Sequence, residues 1–590
     1  MSQAPNRLDA LRAALKQMGV DGFVLPRGDE HLGEYVAPCA ERLAWLTGFT
    51  GSAGMAAILP DRAAVFSDGR YTTQMEQQVD AAAWERRHLR ETPPATWLAT
   101  HGADRRIGYD PRLISESALR PFIEAGLDLV SLPANPVDRI WTDRPAPPCT
   151  PCVPQPLQWA GQDSHAKRAR IAGDLRKAGE SAVVLSDPAS IAWLLNIRGQ
   201  DVPYTPLSLS FAIVHDDARV TLLIAPDKVA DETRAWLGTD ITIQPPHALE
   251  DALRALAPAR VRVDPASNAL WFIQVLEDAG ATVMRKGDPC LLPKAIKNPT
   301  EQEGSRRAHL LDGVAICRFL HWLDENATRT AELEAATRLD HFRAACADYR
   351  GESFPAISGA GPNGAIIHYR VTPETDRALQ PNEVYLIDSG GQYPFGTTDI
   401  TRTVWTGPDR PDEDVRNAFT RVLRGHIALA RARFPDGVTG HALDALARHA
   451  LWEDGLDYDH GTGHGIGSYL SVHEGPATIS PVFRPVPLQP GMILSNEPGY
   501  YRPGAFGIRL ENLHLVQPSP IGEAGRRFLE FEVLTLAPFD RRLIDATVLE
   551  GGETAWLDTY HARVFERIAP HLDTPARIWL KAACAPLHAG

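Results

Sequence analysis

EVYLIDSGGQYPFGTTDITRT, from Glu383 to Thr403, places two aspartates, Asp388 and Asp399, eleven residues apart. Val384-Tyr-Leu-Ile predicts a strand that ends at Asp388, and Asp399-Ile-Thr-Arg-Thr-Val a second strand that Asp399 opens after a Gly-Thr-Thr turn. Two strands joined this way turn both carboxylates toward one pocket. Asp-Ser-Gly alone is an ordinary turn signal, so the pairing with Asp399 carries the reading. Three further stretches extend it: DHGTGHGIGSYLSVHEGP (Asp459–Pro476), GMILSNEPGYY (Gly491–Tyr501) and GIRLENL (Gly507–Leu513). His464 lies among Gly461, Gly463, Gly465 and Gly467, where missing Cβ atoms let backbone approach an ion or substrate. His460, His464 and His473 fall within 14 residues, a density that packing does not explain. Glu497 closes an apolar run before Pro-Gly, and the two-residue period puts Arg509 and Glu511 on one strand face.

Asp388, Asp399, His464, Glu497 and Glu511 form a hard, oxygen-rich donor set unlike a cysteine-based structural zinc site. Four carboxylates offset the charge of two divalent cations held close together, provided that some of them are shared between the ions.

The rest of the chain reads as support for this cluster. Its 590 residues are 44% apolar and 23% charged, enough for several domains. A net charge of −14 and a pI near 5.8 argue against nucleic acid as a partner. Seven scattered cysteines suggest a reducing compartment. The opening MSQAPNRLDALRAALKQMGVDG predicts an amphipathic helix rather than a signal peptide. No uncharged apolar run reaches the roughly 18 residues of a membrane span, so no membrane association and a cytoplasmic location are expected.

Short apolar runs at Gly22–Leu25, Met55–Leu59 and Ala63–Phe66 alternate with helical text, which predicts α/β architecture for residues 1–143. GFTGSAG (Gly48–Gly54) lacks a Lys-Ser/Thr ending and is expected to be a tight inter-strand turn. RPAPPCTPCVPQP (Arg144–Pro156), with six prolines, predicts an extended linker over 144–158 that sustains neither helix nor sheet. Its Cys149 and Cys152 have CxxC spacing with no second pair nearby. Residues 159–294 read as a diverged copy of the first domain: RLAWLTG at Arg42 is echoed by SIAWLLN at Ser190, with Trp45 and Trp193 148 positions apart. Asn298, Pro299 and Glu301 predict a capped helix with a buried stripe at Ala308, Leu311, Ala315, Phe319 and Trp322. SGAGPNG contains a literal GxGxxG, but Pro362 interrupts it and AIIHYRV after it reads as a strand, which excludes a dinucleotide site. Helices are expected over 412–434 and 440–454, and again in the last segment, 538–590.

The ordered set Asp, Asp, His, Glu, Glu, in these surroundings, resembles the "pita-bread" metallopeptidases. Within them it is most similar to the long, three-domain, cytosolic aminopeptidase P family. His368-Tyr-Arg, Asp388-Ser-Gly-Gly-Gln-Tyr, His460-Gly-Thr-Gly-His-Gly-Ile-Gly, Val472-His-Glu-Gly-Pro, Asn496-Glu-Pro-Gly-Tyr-Tyr and Gly507-Ile-Arg-Leu-Glu-Asn carry the resemblance. It extends over Asn135-Pro-Val-Asp-Arg-Ile-Trp and Trp-Leu-Asp-Thr-Tyr-His, hence over nearly the whole chain. The resemblance implies two creatinase-like α/β domains, a pita-bread catalytic domain over 295–537 and a helical extension, an α/β (α+β) chain overall. It implies removal of the first residue from peptides with proline second, by a hydroxide bridging two divalent ions; manganese is the expectation, with cobalt or zinc admitted. Asp388 and Asp399 are implied ligands of one ion, and His464 and Glu497 of the other. Asp399 and Glu511 would bridge the two ions. Glu497 would move the proton, and His368 and His473 would bond the substrate carbonyl. His460 and Tyr501 would line the substrate site, where Arg509 orients an acidic ligand, Glu511 or another. A homodimer is the implied assembly. A prolidase-type dipeptidase and a non-catalytic peptide-binding module are the competing readings.

Overall fold

The computed structural model of the chain describes residues 4–522 and 525–587. The first three residues of the expected N-terminal helix lie outside them, and the helix runs over Ala4–Gln17. The chain divides into two compact units, one of residues 1–156 with 162–290 and one of residues 157–161 with 291–590. Among the described residues no helix is long and apolar enough to cross a membrane.

In the first unit, β1 (Gly22–Pro26), β2 (Met55–Ile58), β3 (Ala63–Ser67), β4 (Glu85–His88), β5 (Arg106–Tyr109) and β6 (Asp128–Ser131) form a sheet of order β4-β3-β2-β1-β5-β6. There follow β7 (Val153–Pro154), β8 (Ala182–Leu185), β9 (Ile197–Arg198), β10 (Phe211–His215), β11 (Val220–Leu223), β12 (Ile241–Gln244), β13 (Arg260–Val263) and β14 (Thr282–Arg285). Six of these make a second sheet of order β12-β11-β10-β8-β13-β14. The two sheets have one topology. In each, the first strand pairs antiparallel with the next and parallel with the fifth, and both outer pairs are parallel. The echoed Trp motifs lie on matching helices, Arg42–Thr47 and Pro188–Leu195, which end in left-handed Gly48 (φ 82°) and Asn196 (φ 52°). Glycine and asparagine are the residues that tolerate this conformation.

Two expectations fail in this unit. Gly48–Gly54 does not join two strands: it leaves a helix and enters β2, so its glycines serve the helix end and the packing behind it. The proline-rich segment does sustain a strand. β7 pairs antiparallel with β9, and the N–H groups of Cys152 and Gln155 donate to Lys228 O and Asn196 O, both at 2.8 Å. The prolines leave the N–H groups of the residues between them free to bond, and the backbone bonds use those.

The longest helix of the second unit among the described residues is Pro299–Asn326. Asn298 accepts from the N–H groups of Thr300 and Glu301 while the Glu301 carboxylate accepts from that of Asn298. Ala308, Ala315 and Phe319 of the expected stripe are buried, and Leu311 and Trp322 are half-buried. The strands are β15 (Ile357–Ala360), β16 (Val384–Ser389), β17 (Gln392–Tyr393), β18 (Gly396–Thr397), β19 (Ile400–Trp405), β20 (Arg433–Pro435), β21 (Gly463–Gly465), β22 (Glu474–Ile479), β23 (Ile493–Asn496), β24 (Gly499–Arg502), β25 (Phe506–Arg509), β26 (Asn512–Pro518) and β27 (Phe528–Val533). They form a three-stranded sheet β15-β16-β19, a six-stranded sheet β20-β27-β26-β23-β21-β22, and the ribbons β17–β18 and β24–β25. Helices Glu413–Ala430, Gly440–Trp452, Gly551–Ile568 and Thr574–Ala583 occupy the expected helical text. Val422, Leu423 and Ile427 of the first of these meet Leu557 and Val564 of the third in the largest apolar core of the unit.

AIIHYRV is not a strand. After β15 the chain makes a 3-10 turn over Gly361–Ala365, with Gly361 at φ +52°, and continues without regular structure past His368. The two isoleucines favour a strand locally, but Gly364 is packed so close to Gly507 that a Cβ there would lie 1.7 Å from Gly364 O. That tertiary contact, with Ile366 seated on Tyr369 and Leu386, overrides propensity.

Candidate metal centre

The two aspartates arrive on adjacent antiparallel strands. Asp388 is the penultimate residue of β16, opposite Thr401 of β19, and Asp399 directly precedes β19 rather than opening it. The β17–β18 ribbon fills the interval between them. His464 is the middle residue of β21, His473 precedes β22, and Glu497 follows β23. Glu511 falls between β25 and β26, with its N–H donating to Thr401 O at 3.2 Å. Arg509 and Glu511 therefore flank a break between two strands instead of sharing one.

The glycines around His464 act differently from the expectation. A Cβ on Gly463 would lie 2.0 Å from Ser495 O and one on Gly465 2.2 Å from Glu474 O, so they allow strand to approach strand. A register irregularity between His464 and Gly465 turns the imidazole into the cluster.

Carboxylate oxygens of Asp399 and Glu511 and a ring nitrogen of His464 lie within 4.8 Å of one another. His464 Nε2 is 3.5 Å from Glu497 Oε1 and 3.7 Å from Asp399 Oδ2. Its Nδ1 is 3.0 Å from Gly465 O, and since a carbonyl only accepts, Nδ1 carries a proton. Its Nε2 is thereby turned toward two carboxylates, the orientation that a metal demands of an imidazole held through its other nitrogen.

The carboxylates make the same demand. Burial first, then the charges of neighbouring carboxylates, push Asp399 and Glu511 well above the usual carboxylate range. Burial pushes Glu497 up to about 7. Asp388 keeps one oxygen, Oδ1, buried without a hydrogen-bond partner. Its Oδ2 accepts from Arg509 Nη2 at 2.6 Å and Nε at 3.2 Å. Of the acidic ligands open to Arg509, the geometry selects Asp388. Carboxylates drawn together with lone pairs still unmet are a donor set for hard divalent cations; the residues fit the group that the sequence implies.

Arg509 also donates through Nη1 to Tyr501 Oη at 2.7 Å. His460 Nδ1 donates to Gly461 O at 2.8 Å, and its Nε2 hydrogen-bonds Tyr501 Oη at 2.9 Å. A relay thus runs Asp388–Arg509–Tyr501–His460. His473 meets His464 edge-on, with ring centroids 4.4 Å apart. His368 stands next to Ile367, whose carbonyl accepts from Arg509 Nη1 at 3.3 Å. Two contacts escaped sequence reasoning. Thr401 Oγ donates to Glu511 Oε2 at 2.9 Å. Ser495 Oγ accepts from His464 N–H at 3.0 Å and donates to Glu497 Oε1 at 3.3 Å. Each lies two positions from a candidate ligand, Thr401 after Asp399 and Ser495 before Glu497, so the strand period would have found both.

Known proteins share this organisation. The family model for metallopeptidase family M24 matches residues 303–518, and that for the C-terminal region of the same peptidases matches 527–587. Two models of the creatinase/prolidase N-terminal domain match 7–132 and 143–301. A probable Xaa-Pro aminopeptidase P of Laccaria bicolor is 40% identical, over 98% of this chain and 93% of its own. Aminopeptidase P1 of Lotus japonicus is 37% identical over 99% of both. The crystal structure of an X-prolyl aminopeptidase from Caenorhabditis elegans, described as a cytosolic enzyme with a di-nuclear active site, superposes with a TM-score of 0.93 at 34% identity, over 99% of this chain and 100% of that one. Prolidase from Pyrococcus furiosus, 21% identical with a TM-score of 0.50 over 62% of this chain and 98% of its own, shares the fold alone. The duplicated N-terminal sheets, the converging ligand set and similarity to relatives over almost their entire length place this chain in the aminopeptidase P family of the M24 metallopeptidases.

Proposed function

We propose that this protein is a metal-dependent aminopeptidase that releases the first residue from peptides with proline at the second position. The observation that carries the reading is the convergence of Asp399, His464 and Glu511 within 4.8 Å, with His464 Nε2 turned toward the Asp399 and Glu497 carboxylates. Two divalent ions are the proposed cofactors, with Asp388 and Asp399 assigned to one, His464 and Glu497 to the other, and Asp399 and Glu511 shared. Bound there, the ions would supply Lewis acidity and lower the pKa of a water molecule. Manganese is the proposed occupant.

The chain's own residues divide the remaining work. Asp388 would hold the free N-terminal amine, which limits cleavage to the chain end. His368 and His473 would donate hydrogen bonds to the scissile carbonyl oxygen as negative charge develops on it. An amide nitrogen leaves only when it is protonated, and Glu497, which would take a proton from the attacking water, is the group proposed to deliver it. His460, held by Tyr501, would form the wall of the proline site, and Arg509 would fix Asp388 from behind. Residues 1–143 and 159–294 are read as the two creatinase-like domains, 144–158 as their linker, 295–537 as the catalytic domain and 538–590 as its extension. Cytosolic location and a homodimer complete the reading; light scattering tests the dimer.

The decisive assay strips the protein with chelator and follows release of arginine from Arg-Pro-Pro and Arg-Ala-Ala, each with and without Mn²⁺. Manganese-restored cleavage of the proline peptide alone is the expected result. Cleavage of both peptides would overturn the proline specificity, and cleavage of neither, with the dipeptide Arg-Pro cut in a parallel assay, would make the protein a dipeptidase.

A further inference from the structure

Helix Glu332–Ala344 begins on a carboxylate that the proposed mechanism does not use. Glu332 is 0% exposed. Its side chain accepts from the backbone N–H of Ala360 at 2.7 Å and of Arg377 at 3.2 Å. It also accepts from Asn363 Nδ2, at 3.0 and 3.1 Å to its two oxygens, and from Tyr369 Oη at 2.9 Å. Its backbone adds two bonds, its N–H donating to Arg377 O at 3.1 Å and its C=O accepting from Ser358 Oγ at 2.7 Å. Among the described residues no ion pair reaches it, since the Arg377 guanidinium is engaged by Glu383. A buried carboxylate without a cation is tolerated only when hydrogen bonds saturate it, and here the donors do so.

Every donor to the carboxylate lies on one segment, 360–377, which leaves β15, passes His368 and returns at Arg377. The ties fall on both sides of His368, at Ala360 and Asn363 before it and at Tyr369 and Arg377 after it. From the metal side, Arg509 holds the Ile367 carbonyl while it holds Asp388. His368 lies in a turn closed by Tyr369 N–H donating to Ile366 O at 3.0 Å, with no helix or strand around it, so the Glu332 bonds are what anchor that turn from both sides. A site that must present a donor to a developing charge needs that donor immobilised beforehand.

We propose that Glu332 is a positioning residue for His368: its carboxylate clamps the 360–377 segment so that the imidazole meets the scissile carbonyl in one orientation. The proposal rests on the aminopeptidase reading and on the role given there to His368. An amide at this position would turn an NH₂ group toward N–H and O–H donors, so Glu332→Gln keeps the volume and breaks the clamp.

The test is a double-mutant cycle in the full-length, metal-loaded protein. Glu332→Gln and Tyr369→Phe are each made alone and with His368→Ala, and kcat and KM are measured on Arg-Pro-Pro. Glu332→Gln is expected to lower kcat on the order of 10- to 100-fold. KM is expected to stay within about 3-fold, with bound metal unchanged. In the His368→Ala background it should cost less than about 2-fold, because nothing remains to be positioned. Tyr369→Phe should show a smaller loss that disappears in the same way, and it carries the test if Glu332→Gln fails to fold. Hydrogen exchange of the 360–377 amides, which does not depend on the peptide cleaved, should quicken in the Glu332 variant. Equal fold-losses in both backgrounds, or unchanged exchange, would overturn the proposal. A wild-type protein that leaves Arg-Pro-Pro intact would overturn the aminopeptidase reading itself, whatever the exchange shows.

Discussion

Asp201 and Glu180 in the first unit and Asp399 and Glu511 in the second are all carboxylates removed from water, yet they are treated in opposite ways. Asp201 meets Lys228 at 2.6 Å, and Glu180 meets Arg262 and Lys286, both at 2.6 Å. Away from the cluster the second unit does the same, with Asp312 against Arg343 and Asp444 against Arg448, each at 2.7 Å. In the cluster, Asp399 and Glu511 instead have other carboxylates as their strongest charged neighbours, and both are pushed toward protonation. A buried charge needs a partner. Where the chain supplies one, the charge is architecture. Where it assembles several acids around a histidine, it leaves counter-charge to come from solution.

The largest effect that would break this contrast is in catalysis. Asp399→Asn or Glu511→Gln should lower kcat/KM on the order of 10³-fold or more. After chelation, the same variants should melt no lower than the chelated parent, because they relieve repulsion. A melting point several degrees lower, by calorimetry, would mean that these acids stabilise the fold as Asp201 does.

The reciprocal experiment targets the first unit. Lys228→Met leaves Asp201 charged and unpaired, which is expected to cost about 3–5 kcal/mol in the unfolding transition of that unit. Metal binding should be unchanged, and denaturant titration with parallel metal analysis reads both. Third, Arg509 is a guanidinium that crosses the contrast, a salt-bridge partner spent on a proposed ligand. Arg509→Met should weaken divalent-ion affinity by about 10- to 100-fold, measured by calorimetric titration of stripped protein.

The smallest effect concerns pH. Burial pushes His514 and His561 of the second unit down to about 3. Unfolded, they titrate near 6.5, so below that pH the unfolded chain binds more protons and stability falls as pH falls. At pH 5.5 each should withdraw on the order of 1 kcal/mol relative to pH 8, so the second unit should become acid-labile in thermal scans. Glu497 contributes with the other sign in stripped protein. Its folded pKa of about 7 lies above its unfolded value of 4.5, so stability should be lost as pH rises between them. Stabilisation by added metal should therefore grow with pH, and a flat dependence would argue against a cation at Glu497.

Much of this was legible before the fold was known. Glycine runs, strand-ending acids and the duplicated Trp motif marked the cluster and the two like sheets, because turns and alternating strands leave local traces. The readings that failed share one cause. Ile366 and Ile367 favour a strand, and the linker prolines disfavour one, yet Gly507 in one case and β9 in the other decided the outcome from far along the chain. The partner chosen by Arg509, Asp388 at 121 residues' distance, was likewise left open between acids by a pattern that sees two residues at a time.

The sequence by itself determined which side chains could ligate, their order along the chain, and the acidic, cysteine-poor character that directed attention to hard cations. Only the tertiary structure decided which buried acids have a basic partner and which face other acids, which nitrogen of His464 faces the carboxylates, and that Glu332 gathers the segment around His368. Those distinctions are set by ångström-scale distances between segments remote in sequence. Electrostatic and hydrogen-bond energies depend steeply on such distances, and local patterning carries no record of them.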